Sequence, residues 1–261
     1  FKQRGLDVQI QNLRNGAAEA AAVAGGALDV GEQNVVSMSH AHARGLPFVF
    51  IAPAGEYNAA ASTTDLLVAK SSSIANAKEL DGKTIAVNAL GDLTQMSAAA
   101  WIDQNGGDAT SVRFIEMPPS QIGAALARGT IAAGVVPEPA LTVAQPETRV
   151  LGKPYGAIGP HFMINGWFAR TDWVAKNPAA AKRFADAIEE AGRWANAHHS
   201  ASAAIFAQHS KAPADVIARM TRATYGVRFD PATMQAVIDT AVRYKVLAKP
   251  FPAKELYDAN L

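Results

Sequence analysis

Residues 80–87 read Leu-Asp-Gly-Lys-Thr-Ile-Ala-Val, a turn followed by a short apolar strand. The pattern then predicts a helix over Thr94–Asn105 and a strand over Val112–Ile115. A second helix over Gln121–Arg128 and a strand over Ile131–Val136 follow. Parallel strands need crossover connections, and these are usually helices, so this alternation predicts an α/β fold. We expect mixed, mostly parallel sheets flanked by helices.

The same alternation is present toward the N-terminus. There the pattern predicts strands over Asp7–Gln11, Ala27–Val30, Pro47–Ala52 and Leu66–Ala69. It predicts helices over Ala17–Ala24, with Asn15 as the N-cap, and over Val35–Arg44. The last third is predicted to be almost wholly helical. Asn177-Pro178 begins a helix that ends near His198, and Pro213 and Asp230-Pro231 begin two more.

Composition excludes several classes of function. The 261 residues include 24 Lys and Arg against 23 Asp and Glu, a net charge of +1, which makes nucleic acid and anionic membrane surfaces poor partners. The absence of cysteine excludes thiolate catalysis, disulfides, Cys-based zinc sites and iron–sulfur clusters. The longest uncharged apolar stretch, residues 45–55, is too short to span a membrane.

Motifs for catalysis and metal binding are absent from the sequence. It contains no phosphate-binding loop, dinucleotide fingerprint, nucleophile elbow or zinc-protease motif. The pairs His40/His42 and His198/His199 lack a third ligand at metal-binding spacing, so we predict no metal and no cofactor. His161 is open to two interpretations, a ligand contact or a structural histidine.

Three turns join a strand end to a helix start, at residues 15–17, 33–35 and 90–94. The first N–H groups of a helix have no partner within the helix and carry partial positive charge, so each turn is a candidate binding position for a ligand oxygen. In open α/β sheets ligands bind beyond the carboxyl ends of the strands, where these turns lie. Each turn taken singly can also be interpreted as a simple capped helix start. Asp92 would occupy the amide groups itself, which favours a ligand with a donor group or a displaced site.

A set of ordered segments carries a resemblance to a known family. They are Gly5-Leu6-Asp7-Val8, Asn15-Gly16, Gly26–Gly31, Arg44–Pro47, Lys78–Val87, Ala124–Gly129 and Pro137-Glu138-Pro139. Together they resemble the solute-binding proteins of the nitrate/sulfonate/taurine ABC-importer family. The resemblance covers most of residues 5–139, whereas residues 165–261 are similar only in their helical character. One departure is Ala132-Ala133, where the family has Asp-Ala.

The resemblance implies the type II periplasmic binding-protein fold. Lobe one would combine residues 1–64 and 167–261, and lobe two would be residues 65–166, with the ligand cleft between them. The crossing strands Thr64–Ala69 and Met163–Ala169 would act as the hinge on which the lobes close.

The resemblance also implies a set of ligand-binding residues. They are Asn15, Gly16, Gln33, Asn34, Pro53, Asn88, Asp92, Leu93, Thr94, Glu138 and Trp167. Asn15, Asn34 and Thr94 would donate hydrogen bonds, Asp92 and Glu138 would accept them from the ligand, and Trp167 would supply an aromatic wall. Glu138 could instead bridge within its own corner, and Trp167 could instead belong to the core.

The function implied is that of the substrate-binding subunit of an ABC importer. Such a subunit captures a small organic solute, sulfonate-, carboxylate- or pyrimidine-like, without catalysis. Its partners would be a permease and an ATPase, and it would act as a monomer. It would lie in the periplasm or be anchored by lipid at the outer face of the cell membrane, and a signal peptide is not visible in this sequence. Two alternatives stay open. One is an enzyme of the same fold, of the pyrimidine-precursor synthase or menaquinone-pathway lyase type, and the other is a sensing domain of a regulator.

Overall fold

The computed structural model describes residues 1–13, 16–210 and 212–261. Within these residues the strands are β1 Val30–Asn34, β2 Phe48–Pro53, β3 Gly55–Asn58, β4 Thr64–Ala69, β5 Thr84–Val87, β6 Arg113–Glu116, β7 Ala133–Pro137, β8 Thr148–Gly152, β9 His161–Met163, β10 Asn165–Arg170 and β11 Thr224–Tyr225. The α-helices are α1 Gly16–Ala24, α2 Val35–Ala43, α3 Leu93–Gln104, α4 Pro119–Ala127, α5 Ala140–Ala144, α6 Thr171–Lys176, α7 Pro178–Ala197, α8 His199–Ser210, α9 Ala214–Arg219 and α10 Pro231–Arg243.

The described strands form three sheets. Sheet A has the order β1-β10-β2, sheet B the order β11-β3-β9, and sheet C the order β6-β5-β7-β4-β8. The chain leaves sheets A and B between β3 and β4, builds sheet C, and returns between β8 and β9. Helices flank these sheets, which confirms the predicted α/β class.

The direction of strand pairing differs from the expected mostly parallel arrangement. In the described residues only β5 pairs in parallel with its sheet neighbours, β6 and β7, and the other ladders are antiparallel. In sheets A and C this difference comes from the two crossing strands. β10 lies between β1 and β2, and β4 lies between β7 and β8, and each runs opposite to both of its neighbours.

Sheet C is covered by apolar side chains on both faces. Along β4, Leu66 and Val68 belong to the cluster shared with α3, whereas Leu67 belongs to the cluster shared with α4. Successive side chains of a strand point to opposite faces, so a strand buried on both faces has a continuous apolar sequence.

Sheet A also separates two apolar clusters. Phe168 packs on one face with Phe50 and with Val237 of α10, and Ala169 packs on the other face with Phe184 of α7. The helix α7 therefore covers the face of sheet A opposite to α10.

Most of the predicted helix starts are confirmed. Asn34 caps α2, Pro178 and Pro231 occupy the first positions of α7 and α10, and the Asp230 side chain accepts a hydrogen bond from the Ala232 N–H. Each of these signals is local in the sequence, because a cap bonds only to the next turn of backbone.

Two strand predictions at the N-terminus were wrong. Residues 7–11 form no strand although their sequence alternates, and Ile10 is 76% exposed. The predicted strand at residues 27–30 begins only at Val30. Gly26 has a φ of 74°, and the N–H groups of Ala27 and Leu28 both donate to the Ala22 carbonyl at the end of α1, so these residues cannot join a ladder.

The predicted strand Met163–Ala169 is divided in two. Ile164 donates its N–H to the Gly55 carbonyl and accepts the Val35 N–H on its own carbonyl. The chain therefore changes from sheet B to sheet A at this residue.

Candidate functional site

The N-termini of α2 and α3 meet at the site, and these two helices follow strands of different sheets, β1 of sheet A and β5 of sheet C. Asn34 ends β1 and caps α2, because its Oδ1 accepts the Ser37 N–H at 2.9 Å. Asp92 caps α3, because its Oδ1 accepts the Leu93 N–H at 2.8 Å. The other Asp92 oxygen, Oδ2, accepts hydrogen bonds from Asn34 Nδ2 at 2.9 Å and Ser37 Oγ at 3.4 Å. Two of the three predicted turns are thus in direct contact.

A histidine adds a further contact at this junction. His40 Nε2 lies 3.2 Å from the Gly91 carbonyl oxygen. The Gly91 N–H donates to Gln95 Oε1 at 2.7 Å, which ties this turn to the first turn of α3. The turn before α3 is therefore fixed from both sides.

Behind the junction, the first turn of α3 is held to the end of β5. Thr94 Oγ1 donates to Asn88 Oδ1. Leu93 is 3% exposed and belongs to the apolar cluster that also contains Phe50 of sheet A. Asn88 and Thr94 therefore form a polar pair, and Leu93 contributes by packing.

The first predicted turn is held by the side chain of Gln33. Its Nε2 donates to the Gly16 carbonyl, and Gln33 is 6% exposed. A Cβ at residue 16 would lie 2.8 Å from the Gln33 amide, so a larger residue there would require the Gln33 side chain to shift. Asn15, predicted as a ligand donor, lies outside the described residues.

Asn165 joins three strand ends, and sequence reasoning did not single it out. It pairs with Asn34 in the sheet A register, and its Oδ1 accepts the Gly55 N–H at 2.6 Å. Its carbonyl accepts the Ala54 N–H, directly after Pro53 at the end of β2. An amide residue inside an apolar crossing strand was the available signal.

Glu32 is a half-buried carboxyl group that sequence reasoning also missed. Burial raises its pKa to about 7, with a further contribution from the nearby Glu19, and a hydrogen bond from Asn165 acts in the opposite direction. Glu19 Oε2 also accepts the Glu32 N–H at 3.2 Å. The available signal was a charged residue inside the strand Val30–Asn34.

Glu138 lies at the corner after β7 and contacts two separate parts of the chain. Its oxygens accept the Thr142 N–H at 3.0 Å and Thr142 Oγ1 at 2.9 Å, which holds the start of α5. Glu138 Oε1 also accepts the Thr221 N–H at 3.1 Å, from the loop after α9. Nearby, Asp65 accepts a bond from Ser62 Oγ at 2.8 Å, and burial raises the Asp65 pKa.

Trp167 is partly buried on the side of sheet A that faces α7. Its ring makes an edge contact with Phe184 of α7 at a centroid distance of 5.7 Å. It packs against the cluster that contains Ile51 and Ala169. This placement is compatible with both interpretations that the sequence left open, so the role of Trp167 in the ligand site stays a prediction.

His161 is paired with a carboxylate. Its Nε2 lies 2.9 Å from Glu56 Oε2. In the described residues no three His, Asp or Glu side chains are grouped so that they could hold a metal ion. Across residues 1–13, 16–210 and 212–261, every helix is too short or too polar to cross a membrane.

Several solved structures share this fold. The aliphatic sulphonate binding protein SsuA from Escherichia coli is 21% identical, with a TM-score of 0.75 over 92% of this chain and 78% of that chain. The ligand binding component of an ABC-type import system from Staphylococcus aureus is 15% identical, with a TM-score of 0.81 over 95% and 84%. The desulfurization enzyme DSZB is 13% identical, with a TM-score of 0.71 over 98% and 89%.

These similarities agree with the predicted type II periplasmic binding-protein fold. No curated protein matches the chain. Residues 1–202 match the family model described as NMT1/THI5 like. Since this match covers more than half of the chain, the protein belongs to the NMT1/THI5-like family.

Proposed function

We propose that this protein is the substrate-binding subunit of an ABC importer and captures a small organic solute in a cleft between two lobes. The observation that carries the proposal is the meeting of the α2 and α3 N-termini through Asn34 and Asp92. The N-terminus of a helix can donate hydrogen bonds to a ligand. Because α2 follows a strand of sheet A and α3 follows a strand of sheet C, their N-termini would lie on opposite sides of the cleft. Neighbours of the same fold include SsuA and the import component from S. aureus.

We assign residues 1–64 and 167–261 to lobe one and residues 65–166 to lobe two. Sheets A and B support the first lobe, and sheet C supports the second. β9 and the first residues of β10 pair in sheets B and A, so in this assignment residues 161–166 are the segment by which the chain returns to lobe one.

The proposed ligand is a sulfonate-, carboxylate- or pyrimidine-like molecule. Amide and hydroxyl groups of Gln33, Asn34, Asn88 and Thr94 lie at the strand ends and helix starts that would face it. Asp92 and Glu138, both assigned to the proposed site, carry negative charge, so an anionic ligand group would be bound by backbone N–H groups.

In this proposal the loaded protein delivers its solute to a membrane permease driven by an ATPase. It would act as a monomer in the periplasm or anchored at the outer face of the membrane. The proposal includes no catalytic step. The fold neighbour DSZB is named as a desulfurization enzyme, so product formation must be tested directly.

The test combines ligand binding with product analysis. The purified protein is titrated by calorimetry with a panel of sulfonates, carboxylates and pyrimidines, and each mixture is examined by mass spectrometry after incubation. We expect at least one compound to bind and to be recovered unchanged. Conversion of a panel compound, or no binding across the panel, would overturn the proposal.

A matched pair of variants tests the position of the site. Asn34→Ala removes a cap at the proposed cleft, and Asn76→Ala removes the same kind of cap, from the 3-10 helix Ala77–Leu80 beside sheet C. We expect Asn34→Ala to weaken binding at least 10-fold, which is about 1.4 kcal/mol, and Asn76→Ala to leave the affinity unchanged. Equal losses would place the ligand elsewhere.

A further inference from the structure

Two carboxylates, Asp92 and Glu138, make hydrogen bonds between the parts of the chain that we assign to different lobes. Both were predicted to accept hydrogen bonds from the ligand. Their oxygen atoms already accept hydrogen bonds from the protein itself.

The contacts of Asp92 divide between the two lobes. Oδ1 faces its own helix and accepts the Leu93 N–H at 2.8 Å. Oδ2 faces lobe one and accepts bonds from Asn34 Nδ2 and Ser37 Oγ, both in the first turn of α2 or its cap. The cap bond fixes the side chain, so little conformational entropy is lost when the second oxygen binds lobe one.

The contacts of Glu138 divide in the same way. The Thr142 N–H and Oγ1 hold the carboxylate against α5, which belongs to lobe two. The Thr221 N–H, at 3.1 Å from Oε1, belongs to lobe one. Each carboxylate is therefore anchored in lobe two and bonded to a donor in lobe one.

We propose that Asp92 and Glu138 are positioning residues that hold the two lobes together across the cleft. They would affect ligand binding by favouring the closed arrangement of the lobes. This inference rests on the proposed function, because it takes the cleft as the ligand site. Bonds between a carboxylate and an N–H donor are among the stronger hydrogen bonds in proteins. Loss of either contact should change the ratio of closed to open molecules about 10-fold or more.

The test measures the distance between the lobes in the absence of ligand. The chain has no cysteine, so Arg128→Cys and Lys182→Cys introduce two exposed spin-label sites, one in each lobe. Double electron–electron resonance then gives the distribution of distances. We expect a dominant short distance in the labelled parent.

Two variants break the contacts between the lobes. Asn34→Asp keeps an oxygen that can cap α2 but replaces the amide donor to Asp92 with a second carboxylate, so the lobes should repel at this point. Glu138→Ala removes the acceptor of the Thr221 N–H. We expect both variants to populate a longer distance, with the closed-to-open ratio reduced about 10-fold or more.

Thr142→Val is the matched control. It removes the hydroxyl bond to Glu138 within lobe two but retains the backbone donors of Thr142 and Thr221. We expect it to keep the parental distances. The inference is overturned if Asn34→Asp and Glu138→Ala are folded and keep the parental distances, or if Thr142→Val opens the cleft as much as Glu138→Ala.

The two proposals can fail separately. Closure is measured without any ligand, so a binding panel that finds no ligand overturns the proposed function and leaves the distances as they are. Unchanged distances in a protein that binds its ligand overturn only the roles of Asp92 and Glu138. If the inference is correct, Asn34→Asp and Glu138→Ala also release a bound panel compound faster than Thr142→Val does.

Discussion

Replacing Glu32 with glutamine should change how the stability of the protein depends on pH. Burial and the nearby Glu19 raise the pKa of Glu32 from its ordinary value of 4.5 to about 7 in the folded state. Between these two values the folded state binds more protons than the unfolded state, so stability falls as pH rises. One pKa unit corresponds to about 1.4 kcal/mol. Because of Glu32, the free energy of unfolding of the wild type should therefore fall by about 2 to 3 kcal/mol between pH 5 and pH 8.

Urea denaturation at pH 5, 6, 7 and 8 measures this effect. Glu32→Gln keeps the size of the side chain and removes its charge, so the variant should lack this decrease and be the more stable protein above pH 7. Glu147→Gln, at an exposed position, should retain the wild-type pH dependence. Glu19→Gln should reduce the slope, because it removes the neighbouring charge. Parallel curves for the wild type and Glu32→Gln would refute this reasoning.

Three further substitutions test the fold by equilibrium denaturation. Phe50→Ala should cost about 3 to 5 kcal/mol, because Phe50 is fully buried between sheet A and α10; a loss under 1 kcal/mol would contradict this packing. Asp230→Ala should cost about 1 kcal/mol through loss of the α10 cap, and an unchanged stability would show that the cap contributes nothing. Arg193→Ala should cost less than about 0.5 kcal/mol, because its pair with Glu189 is exposed, and a larger loss would indicate a packing role for Arg193.

Features that depend on neighbouring residues were predictable from the sequence. Asn34, Pro178 and Asp230-Pro231 mark helix starts correctly, since capping and the fixed φ of proline involve only the adjacent backbone. The strand over Leu66–Ala69 was also predicted, and its apolar run fits the burial of β4 on both faces, where its side chains alternate between two clusters.

Features that depend on distant pairing were not predictable in the same way. The alternation in residues 7–11 is compatible with a strand, but a strand also needs a partner, and none of the described strands pairs with this segment. Trp167 could belong to a cleft wall or to the core, and the position of Phe184 on α7 decided its packing. The direction of pairing in sheet A depended on β10, which arrives from a remote part of the chain.

The candidate site shows the same division. The sequence by itself determined that Asn34 and Asp92 stand at helix starts, because the cap is a local interaction. Only the tertiary structure decided that these two side chains bond to each other, and that Glu32 lies half-buried beside Asn165. Chain topology brings residues from separate sheets together, and the resulting burial and contacts set the roles of these carboxyl groups.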